Sequence, residues 1–259
     1  MFAADRITKI KELLLEYKHI DISSLCSVLG CSVATVRRDL DRLETEGFLK
    51  KTYGGAILDE SQLSGSADRM DNDPYYKEKL QIALIAAEMV HNNDIIFLGP
   101  GKTCLLIAKH LKEKENLKVV TNNLNIVMEL TGIPGIRLIL LGGDITGEDT
   151  SVFTVGRQAE DALSDMLFNK VFFTVDGISI QYGCTLNNYE FTLLLRKVIG
   201  KSGDTILIAD ESKFGKHAFV KAMDLKNINK VITNIGISSE YKEYMFNNQI
   251  ELFTTFEDM

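Results

Sequence analysis

The stretch IIFLGPGKTCLLIAKHL (residues 95–111) joins an apolar run, a glycine-rich turn and an amphipathic segment. This order predicts a strand, a turn and a helix, the unit from which α/β domains are built. The turn GPGKT looks like the phosphate loop of nucleotide hydrolases, whose pattern is G-x-x-x-x-G-K-[ST]. Ile96 stands where that pattern needs its first glycine. We therefore expect a shorter anion site, with backbone N–H groups at the helix start and the Lys102 ammonium. An ordinary strand-to-helix turn is the alternative.

Strand and helix patterns alternate on both sides of this stretch, from Tyr75 onward. The apolar strand candidates are DIIFLG, KVVTNN, GIRLILLGG, KVFFTVDG, DTILIAD, KVITN and IELFT. Helical stretches separate most of them. This alternation predicts an α/β domain with a mostly parallel sheet and helices on both faces.

Polar and small residues collect where the predicted strands end. Ligands of open parallel sheets bind beyond the carboxyl ends of the strands. A single Gly-Gly or Asp-Gly is usually only a turn, but five such sites favour a shared pocket for a phosphorylated, polyhydroxylated compound. The candidate binding residues are Gly99, Gly101, Lys102, Thr103, Cys104, Thr121, Asn122, Asn123, Gly142, Gly143, Asp176, Gly177, Glu190, Asp210, Ser212 and Lys213.

The first 58 residues predict a winged helix-turn-helix. RITKIKELLLEYKHI has helical periodicity, and a second helix is expected between the cap candidate Asp21 and Gly30. A third, SVATVRRDLDRLETEG, starts at the cap Ser32 and has an apolar stripe of Val33, Val36, Leu40 and Leu43. Two short helices joined by a glycine-containing turn are typical of this motif.

The residue types on the third helix suit a reader of the major groove, and the following FLKKTYGGAIL suits a β-wing that touches phosphates. The alternative is a three-helix module that binds protein, with its arginines merely solvated. The candidate DNA-binding residues are Ser32, Ala34, Thr35, Arg37, Arg38, Lys50, Lys51 and Tyr53.

Composition is that of a soluble globular protein of two modest domains. We expect the DNA-binding domain at 1–58, a polar linker at 59–74 and the sensor domain at 75–259. Residues 1–58 hold nine Lys and Arg against eight Asp and Glu, whereas the whole chain has a net charge of −7, so the larger domain is acidic. The N-terminus has no signal-peptide pattern and no run is long enough to span a membrane, which favours the cytoplasm. Four scattered cysteines favour reduced, mostly buried thiols over a metal site or disulfides.

The string CSVATVRRDLDRLETEGFLKKTYGGAIL resembles the DeoR family of bacterial transcription repressors nearly in full. The resemblance continues through EKLQIALIAAEMV, the glycine loop, VVTNN, LLGGD, VDGI and LIADESKFG, and so covers almost the whole chain. It implies a sensor domain similar to ribose-5-phosphate isomerase, which binds a phosphorylated sugar that relieves repression. Bacterial repressors of this kind control carbohydrate genes.

Several positions depart from the family pattern. Gly99 and Lys102 stand where an aspartate and a threonine are common, which makes the loop more positive. The change favours an anion, but it also leaves open that Lys102 fills the site itself and that the effector has been lost. Asn169 and Asn234 replace usual aspartates, and Cys184 replaces a leucine. In the wing, Lys51 and Tyr53 stand where arginine and histidine are usual.

Taken together, these patterns predict a sequence-specific transcription regulator, a repressor released by a phosphorylated sugar. Because one such motif contacts a short half-site, we expect a homo-oligomer, a dimer or tetramer, on double-stranded DNA. No cofactor, metal or catalytic residue is expected. The rival hypothesis is an isomerase-like enzyme with a DNA-binding head, whose base would be Asp176, Glu190 or Asp210. A nucleotide-dependent switch is a third class, and it lacks the intact phosphate loop.

Overall fold

The computed structural model describes residues 3–45, 48–52, 54–58, 73–148 and 151–255, with the backbone alone for 3–5, 15, 16 and 58. The chain divides into two compact units, residues 1–71 and 72–259. Each unit has its own hydrophobic core. We describe them separately.

The first unit consists of three helices and a small antiparallel sheet. Its elements are α1 (Ala3–Tyr17), β1 (His19–Asp21), α2 (Ile22–Leu29), α3 (Val33–Thr45), β2 (Leu49–Lys51) and β3 (Gly55–Leu58). The strand order is β1-β3-β2, and both pairings are antiparallel. This arrangement is the predicted winged helix-turn-helix.

The boundaries of α2 follow the sequence signals. The Asp21 side chain accepts a hydrogen bond from the Ser24 N–H (2.8 Å), and Gly30 ends the helix in the left-handed conformation (φ 62°). These are the usual N-cap and C-cap devices. The turn between α2 and α3 is therefore short and fixed by its two ends.

The prediction for the first helix was wrong at its end. The expected helix over residues 6–20 stops at Tyr17, because Lys18 has a positive φ of 63°. His19–Asp21 then form β1, which pairs with β3. Gly55 on β3 is needed for this pairing, since a Cβ there would lie 2.2 Å from the Ile20 carbonyl oxygen.

Part of the predicted apolar stripe on α3 is not in the core. Val36, Leu40 and Leu43 are buried, whereas Val33 is 45% exposed. Val33 is the first residue of the helix. The core of this unit is completed by residues from every element, including Ile10, Leu25 and Ala56.

The second unit is a three-layer α/β domain with two accessory sheets. Its helices are α4 (Tyr76–Glu88), α5 (Lys102–Lys109), α6 (Leu124–Leu130), α7 (Arg157–Ala162), α8 (Tyr189–Ile199) and α9 (Ser239–Asn247). Its strands are β4 (Ile95–Leu98), β5 (Leu117–Thr121), β6 (Ile136–Leu140), β7 (Asp144–Glu148), β8 (Ser151–Val155), β9 (Phe168–Phe173), β10 (Gly177–Ser179), β11 (Gly183–Leu186), β12 (Ser202–Ile208), β13 (Val220–Met223), β14 (Lys230–Thr233) and β15 (Glu251–Thr254).

The central sheet confirms the predicted fold class. Seven strands pair in the order β15-β14-β12-β9-β4-β5-β6, and every neighbouring pair is parallel. They are the seven strands that the sequence predicts. On β4, Phe97 packs into a core that includes residues of α7, α8 and α9. Its neighbours Ile96 and Leu98 are also buried, but they do not belong to that core. The strands are therefore covered on both faces, as expected for parallel sheets.

Two accessory sheets were not predicted. β7 and β8 form a hairpin, and β10, β11 and β13 form a three-stranded antiparallel sheet. Their strands have three to five residues and sequences such as DITGE and GIS, which lack clear alternation. Both sheets follow strands of the central sheet, and together they wall the cavity described below.

Candidate functional site

The orientation of α3 depends on an ion pair that the sequence analysis missed. Arg6 on α1 donates from Nε to Asp39 Oδ2 (2.8 Å) and from Nη2 to Asp39 Oδ1 (3.2 Å). Both side chains are mostly buried. A two-pronged bond of this kind fixes geometry as well as distance. Asp39 of the RRDL string therefore holds α3 against α1 and leaves the two arginines before it exposed.

The exposed start of α3 carries most of the predicted DNA-binding residues. The Thr35 N–H donates to Ser32 Oγ (3.3 Å), and the two hydroxyl oxygens lie 3.0 Å apart, so these side chains form the helix cap. The exposed members of the set are Ser32, Ala34, Arg37 and Arg38, while Thr35 is half-buried. One exposed surface thus presents hydroxyl, methyl and guanidinium groups.

The wing residues are placed differently from one another. Lys50 is exposed on β2. The Lys51 ammonium forms ion pairs with Asp41 and with Glu44 (3.5 Å), both on α3. Lys51 therefore links the wing to α3 in this structure. Tyr53 lies outside the described residues.

The second unit contains a cavity of about 1070 Å³ at the carboxyl end of the central sheet. Residues after β4, β9 and β12 line it, together with the β7–β8 hairpin and the segment between β11 and α8. This is where ligands of doubly wound sheets bind. The volume is enough for a small phosphorylated metabolite.

The start of α5 faces this cavity. Gly101 adopts a φ of 122°, and a Cβ there would lie 2.7 Å from Thr174 Cγ2. Pro100, Gly101, Lys102 and Thr103 all line the cavity. The first N–H groups of a helix have no partner within it and favour an anion. The glycine-rich turn of the opening stretch is thus one wall of the cavity.

Four charged side chains form a network on the same wall. Asp73 Oδ2 lies 2.7 Å from the Lys79 Nζ and 3.3 Å from the Lys102 Nζ. Lys79 also lies 3.6 Å from Asp210 Oδ2. Burial raises the pKa of Asp73, but hydrogen bonds from Lys79, the Tyr75 N–H and Lys102 outweigh it and leave that pKa below its ordinary value. Asp73 is therefore a carboxylate at neutral pH.

Lys213 differs from the other two lysines of the cavity. It follows Asp210 in a short 3-10 turn, which the Asp210 carboxylate caps by accepting from the Ser212 N–H (3.0 Å). Within the described part of the chain, the Lys213 ammonium has no carboxylate partner. Lys213 and the start of α5 line the same cavity, and an ammonium group without a carboxylate partner is available there to bind an anion.

Uncharged polar and acidic side chains also line the cavity. Asp176 Oδ2 accepts a hydrogen bond from the Asn187 N–H (2.7 Å), and both residues line the cavity. Glu148 and Thr146 contribute from the hairpin. Carboxylates, amides and hydroxyls in the lining suit a ligand with several hydroxyl groups.

The structure brings six of the sixteen candidate residues into the cavity lining, namely Gly101, Lys102, Thr103, Asp176, Asp210 and Lys213. The other ten lie outside it: Gly99, Cys104, Thr121, Asn122, Asn123, Gly142, Gly143, Gly177, Glu190 and Ser212. The isomerase hypothesis has three candidate bases. Asp176 and Asp210 line the cavity, whereas Glu190 does not.

Several of these ten have structural roles. Thr121 donates to the Leu98 carbonyl (2.7 Å), and Asn122 donates to the Thr154 carbonyl (2.8 Å). Asn123 caps α6 by accepting from the N–H groups of Asn125 (2.8 Å) and Ile126 (3.3 Å). The polar string after β5 thus joins neighbouring strands and starts a helix.

Asp73 and Lys79 are the most important cavity residues that sequence reasoning missed. Asp73 falls in the stretch expected to be linker, and Lys79 is one of several lysines in a helical pattern. Only the fold brings them to the start of α5. In the described ranges, no group of three or more His, Cys, Asp and Glu side chains is arranged to hold a metal ion. Nor does any helix there have the length and apolarity for crossing a membrane.

Comparisons with solved structures give distant similarities. Ribose 5-phosphate isomerase from Plasmodium falciparum is 17% identical with a TM-score of 0.39, and covers 52% of each chain. The β subunit of eIF2B from Chaetomium thermophilum is 16% identical with a TM-score of 0.40, over 55% of this chain and 40% of its own. This chain thus spans about half the length of these structures or less.

Comparisons of sequence cover nearly the full length. The HTH-type transcriptional repressor GlcR of Bacillus subtilis is 30% identical over 260 residues, covering 100% of this chain and 98% of its own. The lactose phosphotransferase system repressor of Lactococcus lactis is 32% identical, over 92% and 93%. Transcriptional repressor AccR of Agrobacterium fabrum is 31% identical, over 90% of each.

Two family models match, one to each unit. Residues 6–62 match the DeoR-like helix-turn-helix domain, and residues 75–235 match the DeoR C terminal sensor domain. The described helices, the wing and the central sheet all lie largely within these ranges. The chain therefore belongs to the DeoR family of helix-turn-helix transcription regulators.

Proposed function

We propose that this protein represses genes of sugar or carbohydrate metabolism and is released from its operator by a phosphorylated sugar bound in the cavity of the second unit. The lactose phosphotransferase system repressors among its relatives support the class of target genes. The observation that carries the effector class is the cavity itself. Its lining combines a helix start and three lysines with carboxylates and amides.

The effector would be held at two ends. Its phosphate would accept from the N–H groups at the start of α5 and from Lys213, because charge-assisted hydrogen bonds to phosphate are strong. Its hydroxyl groups would bond Asp176 and Asn187, which also line the cavity. This division of roles supports a requirement for the phosphate as well as for the sugar.

DNA would be bound by α3 and the wing. Arg37 and Arg38 would contact base edges or phosphates in the major groove, and Lys50 a backbone phosphate. Because one such unit covers a short half-site, specific affinity calls for two copies held together in a dimer or tetramer. The effector then shifts operator occupancy only as far as its affinities for the free and DNA-bound forms differ.

The test combines two measurements on the full-length protein. An operator is first selected from a random DNA library. A thermal-shift panel then compares hexose and pentose phosphates, the unphosphorylated parents, and ATP with magnesium. A ligand at 100 times its Kd adds about 2.7 kcal/mol to the unit that it binds, which moves the midpoint by several degrees.

We expect one phosphorylated sugar to raise the midpoint and to weaken operator binding, while its parent does neither. A shift with ATP alone would contradict the assignment, and silence across the panel would mean that the site has lost its effector. A phosphorylated sugar that raises the midpoint but leaves operator affinity unchanged would contradict the proposal that it regulates DNA binding.

A further inference from the structure

Asp73 occupies an unusual place in the chain. It is the first described residue of the second unit, and it lies three residues before the start of α4 at Tyr76. Its backbone carbonyl accepts from the Tyr76 N–H (2.9 Å), and its Oδ1 accepts from the Tyr75 N–H (3.1 Å). The residue that leads the chain into the second unit thus reaches the cavity wall with its side chain.

Its other carboxylate oxygen contacts two of the three cavity lysines. The Lys79 Nζ donates to Asp73 Oδ2 at 2.7 Å, and the Lys102 Nζ lies 3.3 Å from the same oxygen. Only 8% of the Asp73 side chain is exposed, against 14% for Lys79 and 32% for Lys102. These ion pairs are mostly shielded from solvent, so they are stronger than exposed surface pairs.

The Asp73 carboxylate contacts Lys79 and Lys102 as a bound anion would. A carboxylate oxygen between two ammonium groups, next to the start of α5, is where a phosphoryl oxygen would be placed by the same charges. With Asp73 in place, the carboxylates of Asp73 and Asp210 balance the charges of Lys79 and Lys102, and Lys213 is the cavity cation left to attract a ligand. A phosphate that used all three lysines would have to take the position of the Asp73 carboxylate.

We propose that Asp73 is an internal competitor of the effector phosphate, and that effector binding releases it from Lys79 and Lys102. This inference rests on the proposed function of the cavity. It identifies the first described residue of the second unit as the one that effector binding moves. A ligand that does not displace Asp73 would leave that residue in place.

The experiment measures binding of inorganic phosphate to the full-length protein by calorimetry. Asp73→Asn removes the charge but keeps an oxygen for the Tyr75 N–H. If the paired state is populated about 90% of the time, its removal tightens phosphate binding about tenfold. Asp73→Ser, with a different neutral acceptor, should tighten it in the same direction and covers the case in which the amide variant does not fold.

The matched control is Glu243→Gln, which also removes one negative charge from the second unit but at an exposed position on α9, outside the cavity lining. Tightening by both Asp73 variants and not by the control supports competition. Equal tightening in all three would mean a general charge effect and would overturn the inference. Phosphate binding that is unchanged or weaker in the Asp73 variants would also overturn the inference, but it would not contradict the anion site itself. Absence of phosphate binding in every variant would instead remove the anion site and the proposed function with it.

Discussion

At the scale of single residues, Lys213 is the cavity side chain whose charge is available for a ligand. Lys79 and Lys102 share the carboxylates of Asp73 and Asp210, whereas Lys213 has no such partner among the described residues. The cavity therefore contains two lysines that form ion pairs with carboxylates of the protein and one lysine that does not.

Replacing Lys213 by glutamine should weaken binding of the effector found in the panel, or of inorganic phosphate. Loss of a hydrogen bond to a charged group costs about 1.5–3 kcal/mol, roughly a tenfold to hundredfold loss of affinity by calorimetry. Lys216→Gln is the control, because Lys216 is exposed three residues further along and outside the cavity lining. Equal effects of the two substitutions would contradict the role given to Lys213.

Two cysteines at the same scale show why a residue near a site need not belong to it. Cys104 lies one turn into α5, and Cys184 lies on β11, and both are fully buried. Burial raises the pKa of each thiol to about 12. Both remain protonated at neutral pH and have no reactive thiolate. The expectation of reduced, buried thiols thus describes these two, while Cys26 and Cys31 are half-buried.

At the scale of elements, the turn between β4 and α5 depends on Gly101. Its φ of 122° is poorly accessible to residues with a Cβ, and an added Cβ would lie 2.7 Å from the Thr174 side chain. This tight approach is what brings the start of α5 to the cavity edge. The positive φ of Gly101 and the nearby Thr174 side chain therefore both constrain the turn.

Gly101→Ala should destabilise the second unit by about 1–3 kcal/mol, the cost of holding a residue in a sparsely populated backbone region. Urea or thermal unfolding measures this loss. Gly142→Ala is the matched control, because nothing lies within 4 Å of a Cβ at Gly142 and its φ is not in the left-handed region. A Gly101 variant as stable as the control would show that the turn tolerates a side chain.

The elements that the sequence predicts well are the long and strongly patterned ones. The seven strands of the central sheet have four to seven residues and alternate with helical stretches, and α3 has a cap, a 3.6-residue period and a basic pair. β1 was assigned to a helix, because three residues carry too little periodicity to compete with the helix before them. The hairpin and the antiparallel sheet were missed because their short strands lack clear alternation, and both contribute to the cavity.

At the scale of the whole molecule, the two units have separate cores and separate tasks. Residues 1–58 of the first unit hold nine Lys and Arg against eight Asp and Glu, while the chain as a whole has a net charge of −7. The acidic second unit would be repelled by DNA, so attraction depends on the exposed basic side chains of the first. Operator affinity should therefore fall as salt rises.

The double variant Arg37→Ala, Arg38→Ala should abolish binding to the selected operator, measured by fluorescence anisotropy, because each lost base contact costs about 1–3 kcal/mol. The thermal shift caused by the effector should be unchanged, since the second unit has its own core. Arg157→Ala, an exposed arginine on α7, is the control and should leave operator binding intact. Undiminished operator affinity in the double variant would contradict the assignment of α3 as the reading helix.

The sequence by itself determined the class of each unit, and it predicts the reading helix and the strand ends at which a ligand would bind. These properties follow from local periodicity, caps and glycine turns, which act within a few residues of one another. Six cavity residues could be named for this reason, since the carboxyl ends of parallel strands converge whatever the details of packing.

Only the tertiary structure decided how the charges of the cavity are shared. Asp73 and Lys102 are 29 positions apart in sequence, yet their charged groups lie 3.3 Å from each other. Likewise, Arg6 and Asp39 meet across two helices. No local pattern encodes such pairs, because they depend on where whole helices pack. The sequence could name Lys102 as a candidate ligand of phosphate, but packing decided that a carboxylate of the same chain already contacts it.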